Sequence, residues 1–175
     1  MKNKKTSQGQ LEFTVSRQKT KKRSVHFSSE KHDWATPKWL FDALKKEFPF
    51  DTDVASDDSN CLCEQHYTKK ENGLLQDWGK GFCWCNPPYG RQIGSWVRKA
   101  YESAQAGATV VCLLPSRTDT KWWHTWVMKA DVRYFLGRLK FSNSKSAAPF
   151  PSALVIFRPP TFSINTSPMK EPANL

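Results

Sequence analysis

At 175 residues the chain allows one domain with a real core, and a hydrophobic content of 38% with 13% aromatic residues is ample to fill it. A formal net charge of +11 points to polyanionic partners, because each Lys or Arg set on a phosphate releases counterion. No apolar run approaches the roughly 18 to 20 residues that a bilayer span needs, the N-terminus lacks an apolar leader segment, and the cysteine number, five, is odd. A membrane protein and a secreted disulfide scaffold are both disfavoured, and a cytoplasmic protein is expected.

Residues 1–30 hold eight Lys or Arg against Glu12 and Glu30 and show no sustained period, so they read as a flexible basic arm, either a solvated tail or a phosphate contact. The folded part is expected over 31–158, with 159–175 a C-terminal tail rich in turn residues. Thr36 as N-cap and Pro37 at the first helical position open a helix whose stripe is Leu40, Phe41, Leu44 and Phe48. A strand follows from Phe50 to Ala55, and 57–80 read as polar and irregular. Gly81 to Cys85 form a buried strand. Beyond it Ile93, Trp96, Val97, Ala100, Tyr101 and Ala104 share one helix face that ends at Gly107.

Ala108 to Leu114 is a continuous apolar strand of the doubly covered kind, stopped by Pro115. Thr118 or Asp119 caps a third helix, with Trp122 and Trp126 expected in the core and Trp123 exposed. Strands at Val132 to Leu136 and Ala153 to Phe157 complete the set. Alternating strands and helices imply an α/β domain with a mainly parallel sheet, helices on its faces and its ligand site at the carboxyl ends of the strands.

The most informative residues follow the Gly81 to Cys85 strand: Asn86-Pro87-Pro88-Tyr89. The Asn side-chain carbonyl and the carbonyl of the first Pro can both accept from one amino group, while Tyr89 offers a ring for stacking. Two prolines fix their own φ near about −65°, so the acceptors stand in place before a substrate arrives. The arrangement suits an NH2 group on a flat ring.

Several further blocks occur in order around this turn: Trp34-Ala35-Thr36-Pro37, Phe50-Asp51-Thr52-Asp53-Val54-Ala55-Ser56, Asp77-Trp78, Leu113 to Thr120, Gly137 to Phe141 and Pro149 to Val155. In order and spacing the chain resembles the phage-type DNA adenine methyltransferases from about Trp34 to Phe157. The resemblance implies a single compact Rossmann-like methyltransferase domain that moves a methyl group from S-adenosylmethionine to the exocyclic N6 amine of adenine in DNA. It makes Asn86, Pro87, Pro88 and Tyr89 the catalytic turn and assigns Trp34, Thr36 and Pro37 to the cofactor, with Asp53 and Ser56 at the end of the first strand. The segment Asp53 to Asp58 departs from the usual pattern in carrying no glycine.

Asp77 is the candidate for the cofactor's adenine edge, or else an ordinary turn residue before a core Trp. DNA is the expected partner, with the target adenine flipped out onto Tyr89. Phe150 is either the opposite wall or a core residue, and Arg117 and Arg138 either bind phosphate or sit in ion pairs. Target sequence is not written in the residues, although the resemblance leans towards GATC.

Other chemistries fit less well. Carbon-5 cytosine methylation needs a Cys nucleophile, usually directly after a Pro, whereas here Cys85 precedes Asn86. Cytosine N4 methylation shares the acceptor geometry; the resembling enzymes that use it tend to carry Ser in the first position, so the resemblance leans modestly towards adenine. A non-catalytic basic nucleic-acid binder would use the Trp122, Trp123 and Trp126 cluster as stacking platforms. Cys61-x-Cys63-x-x-His66, with Cys83 and Cys85, invites a zinc site, but zinc pairs more often use about two to four intervening residues. No metal is expected.

Overall fold

The computed structural model describes residues 33–160, so the basic arm and all but the first two residues of the C-terminal tail lie outside the described part. Six strands form one sheet: β1 (Thr52–Asp53), β2 (Gln65–His66), β3 (Phe82–Cys85), β4 (Thr109–Pro115), β5 (Asp131–Tyr134) and β6 (Ser152–Phe157), in the order β2-β1-β3-β4-β6-β5. β1 pairs in parallel with both β2 and β3, and β3 with β4, whereas β6 runs antiparallel to both of its neighbours. The chain leaves β1 in one direction for β2 and in the other for β3. The topological switch, where open α/β sheets place their ligands, therefore lies between β1 and β3. This is a mainly parallel, Rossmann-like α/β sheet, as expected.

Side-chain alternation on β3 builds both faces. Trp84 packs edge-on against Phe41 and Phe50, at ring centroid distances of 5.6 Å in both cases, beneath α1 (Lys38–Leu44). Cys83 faces the other way, its thiol donating to the Trp78 carbonyl, and Trp78 stacks on Trp96 of α2 (Ile93–Gln105). β4 and β6, between these layers, are buried almost throughout, which explains their unbroken apolar sequences. Gly107 ends the turn after α2 at φ 120°, in a region that side chains disfavour. Among the described residues no helix is long and apolar enough to cross a membrane.

Several expectations need correction. Thr36 does not cap α1: Pro37 occupies the N-cap position with ψ 127°, and its carbonyl accepts from Leu40 and Phe41. β1 is two residues long, and the 57–80 stretch contains β2 and a 3-10 turn at Gly73–Leu75. β5 ends at Tyr134, leaving Leu136 fully exposed.

Neither Thr118 nor Asp119 caps α3 (Lys121–Thr125): the N-cap position falls on Thr120, whose hydroxyl donates to the Arg117 carbonyl instead. Its tryptophans are reversed relative to expectation. Trp123 is buried at 2% exposure, while Trp122 and Trp126 are half-buried at its flanks. The helix is only five residues long and passes into a 3-10 turn at Val127–Lys129, so a stripe drawn with the α-helical period does not continue across it.

Candidate active site

β3 ends at Cys85 and delivers Asn86, half-buried, to the switch between β1 and β3. Its Nδ2 donates to the Trp34 carbonyl at 2.5 Å and to Thr36 Oγ1 at 3.0 Å. The Trp34 carbonyl can only accept, so the amide nitrogen must face it and Oδ1 must face away. Oδ1 is buried and has no hydrogen-bond partner. An orphan acceptor of this kind costs about 1–3 kcal/mol, and a donor brought to it recovers that cost. Pro87 is buried beside it and Pro88 half-buried.

Asn86, Pro87 and Pro88 form one wall of a cavity of about 390 Å³, a size typical of small-molecule and cofactor sites. Trp34 and Thr36 lie on the same lining, as do Asp53 and Ser56. The Asp53 carboxylate accepts from the amides of Ala55 at 3.3 Å and Leu62 at 3.2 Å, and burial nevertheless pushes its pKa up to about 6. Ser56 Oγ and the indole nitrogens of Trp84 and Trp96, two further lining residues, are buried without partners. Three carboxylates, Asp33, Asp53 and Asp57, face one basic residue, Lys69, which is itself paired with Asp33 at 3.3 Å. An acidic, aromatic-walled cavity with unmet donors and acceptors suits a ligand that is both cationic and heterocyclic.

The missing glycine has a counterpart in space. A Cβ on Gly73 would stand 2.1 Å from the Val54 carbonyl and 3.1 Å from the Trp96 ring, so only glycine allows this close approach on the cavity floor.

Residues 23–171 match the family described as DNA N-6-adenine-methyltransferase (Dam). The chain belongs to that family. A DNA N-6-adenine-methyltransferase of Haemophilus phage HP1 is 31% identical over 140 residues, covering 75% of this chain and 81% of the relative. One of Escherichia phage T1 is 34% identical over 91 residues, covering 51% of this chain and 38% of that protein. Dam membership makes the chain an adenine-specific DNA methyltransferase, and so an enzyme that acts on DNA.

Other residues singled out in the sequence lie elsewhere in this Dam-family domain. Pro37 is buried at the start of α1 and is absent from the cavity lining. Asp77 is exposed and off the lining; its Oδ1 accepts from the Gly79 amide at 3.0 Å, which is the turn role. Tyr89 is 3% exposed, its hydroxyl donating to the Leu113 carbonyl at 3.1 Å. Burial holds its phenol well above the ordinary pKa, so it stays a donor.

The Tyr89 ring meets Phe141 at 6.1 Å and Phe150 at 5.6 Å, both edge to face. Tyr89 and Phe150 are thus direct neighbours in this conformation and not two walls with a base-sized gap between them. Arg117 and Arg138 are both exposed, and neither takes part in an ion pair among the described residues.

Three cysteines are poor nucleophiles. Burial pushes the Cys63 and Cys83 thiols up to about 12, and raises Cys85, which lies opposite Cys112 across the β3–β4 pairing. Among the described residues no three His, Cys, Asp or Glu side chains come together as a metal site.

Proposed function

We propose that the cavity between β1 and β3 binds S-adenosylmethionine, and that Asn86 Oδ1 and the Pro87 carbonyl accept the two hydrogens of an adenine amine flipped out of DNA. One observation carries this reading. Both amide hydrogens of Asn86 are engaged inside the protein, while Oδ1 is buried and unpartnered. The adenine amine is a poor nucleophile because its lone pair is delocalised into the ring. Acceptors that take both hydrogens let that nitrogen pyramidalise, and because they are fixed in advance they need no reorganisation as the reaction proceeds.

S-adenosylmethionine, when bound, supplies the electrophilic methyl on its sulfonium. Asp53 and Asp57 would balance the positive charge, Ser56 and the Trp96 indole would meet polar edges, and the Trp34 to Thr36 segment would close the side next to Asn86. No covalent enzyme intermediate is required.

Exposed basic residues at the carboxyl edge of the sheet favour a duplex docked there. The loops leaving β3, β4 and β5 expose Arg91, Arg117, Lys121, Arg138, Lys140 and Lys145, with Asp119 the one acid among 86–92, 116–121 and 135–151. These three loops share the carboxyl edge of the parallel strands. Arg117 and Arg138 are the proposed phosphate contacts there, with no competing ion pair among the described residues. Stacking of the flipped base on Tyr89 requires Phe150 to withdraw from the ring it now touches.

Equilibrium dialysis of the full chain against labelled S-adenosylmethionine tests the cofactor half directly. One saturable site, emptied by S-adenosylhomocysteine, is expected, and no saturable binding by the folded protein would contradict the reading.

A further inference from the structure

Thr36 lies on the cavity lining, yet its hydroxyl makes its closest described contact with the protein's own Asn86. A primary amide has two hydrogens and one oxygen, and its orientation is fixed only when both hydrogens are placed. The Trp34 carbonyl fixes the first, at 2.5 Å, and Thr36 Oγ1 fixes the second, at 3.0 Å. The only polar valence left on the side chain is Oδ1.

The segment that provides these two acceptors is itself tied from behind. The Ser142 amide donates to the Ala35 carbonyl at 3.0 Å, Ser142 Oγ donates to the Thr36 carbonyl at 2.9 Å, and Asn143 Oδ1 accepts from the Ala35 amide at 3.1 Å. Pro37 stiffens the chain immediately after it, at φ −64°. Thr36 is therefore a rigidly mounted acceptor, not a surface hydroxyl free to turn.

We propose that Thr36 is a positioning residue for the methyl-accepting amine, its hydroxyl holding the Asn86 side chain in the one orientation that presents Oδ1 to the substrate. The inference rests on the reading of Asn86 as the amine acceptor. It gives Thr36 a role separate from cofactor contact, because the hydrogen bond exists within the protein alone. Without the hydroxyl, one amide hydrogen loses its partner and the side chain can rotate about its final torsion, so that Oδ1 is correctly placed for only part of the time.

Thr36→Val keeps the branched shape and removes the acceptor, Thr36→Ser restores it, and Thr36→Ala serves as a second deletion should the valine not fold. Under single-turnover conditions with cofactor and DNA saturating, Val or Ala should slow methyl transfer by about ten- to a hundredfold while Ser stays within about threefold of wild type. Affinity for S-adenosylmethionine should change by less than about twofold in all three. In the unliganded protein, the two Asn86 side-chain amide protons, identified by their loss in Asn86→Asp, should exchange faster with water in the Val and Ala variants and not in Ser.

An unchanged saturated rate, or a loss confined to cofactor affinity, would overturn the proposal and leave Thr36 as a cofactor contact. A wild-type protein that binds the cofactor but whose rate is also indifferent to Asn86→Ala would instead remove the underlying reading of Asn86.

Discussion

The Tyr89 hydroxyl reaches from the turn after β3 to the Leu113 carbonyl on β4, at 3.1 Å, and holds the ring of the Asn-Pro-Pro-Tyr turn in the core. The same ring is braced by Phe141 and Phe150. Two substitutions separate its bond from its bulk. Tyr89→Phe removes only the donor to Leu113 and should lower unfolding free energy by about 0.5–1.5 kcal/mol, with most turnover kept. Tyr89→Ala removes the ring and should cost about 3–5 kcal/mol in stability together with a loss of DNA affinity in the cofactor-bound state. Denaturant unfolding and methylation assays read both effects, and a Phe variant that is fully stable but inactive would show that the hydroxyl acts in the reaction.

Asn86→Ala removes the buried acceptor itself. By comparison with other preorganised polar groups it should cost about 2.7–4 kcal/mol in the chemical step, roughly a hundredfold to a thousandfold. The fold should survive, because Asn86 is half-buried and the lost hydrogen bonds lie at its edge. Rapid-quench single turnovers check this, and a wild-type rate would remove Asn86 from the site.

Much of this site is legible in the sequence because its informative residues are consecutive. The strand before Asn86, the α2 stripe and the continuous apolar β4 each carry a local period, and the fold class follows from their alternation. What the sequence hides is assembled across distance. Asp33 and Lys69 meet at 3.3 Å, and Ala35 meets Asn143, although no spacing rule links either pair. β2 escapes notice because two residues on a sheet edge, Gln65 and His66, need no apolar pattern. Gly73 is informative only once Val54 is seen above it. Trp123 misleads for a different reason, since a five-residue helix running into a 3-10 turn offers no stable stripe to count along.

Acidity should stabilise the domain mildly before it harms it. Burial pushes the Asp53 carboxyl up to about 6, so the folded chain holds this proton more tightly than the unfolded chain, where an Asp titrates near about 3.9. This contribution is complete at low pH and is lost as pH rises through about 6. His66 acts in the same direction, its proton favoured by the Glu64 carbonyl and by Asp58. Glu47 and Glu71, both lowered by their partners, oppose the trend only on deeper acidification.

The thermal midpoint should therefore rise as pH falls from about 7.5 to about 5, with a shallower slope in Asp53→Asn. Cofactor affinity should run the other way. A cationic ligand favours the Asp53 carboxylate, so binding should strengthen as pH rises from about 5 to about 7 and should release protons, as calorimetry in buffers of different ionisation enthalpy would reveal. Equal slopes for wild type and Asp53→Asn would contradict the assignment.

Phosphate contacts have a salt signature. Arg117→Ala and Arg138→Ala should each weaken DNA binding similarly across sequences and lower the slope of log affinity against log salt by about one. Deleting residues 1–30, which carry eight Lys or Arg against Glu12 and Glu30, should flatten the slope further while leaving cofactor affinity unchanged. Loss of cofactor binding on truncation would mean that the arm belongs to the folded unit.

The most direct test follows the methyl group. The full chain is incubated with S-adenosylmethionine labelled in its methyl group and a plasmid lacking adenine methylation, and the DNA is then digested to nucleosides and separated. Membership of the Dam family, with an orphan amide oxygen at Asn86 and raised thiols at Cys63, Cys83 and Cys85, predicts that all label elutes as N6-methyladenine. Label in 5-methylcytosine, or none in any base from a protein that demonstrably binds the cofactor, would contradict the account.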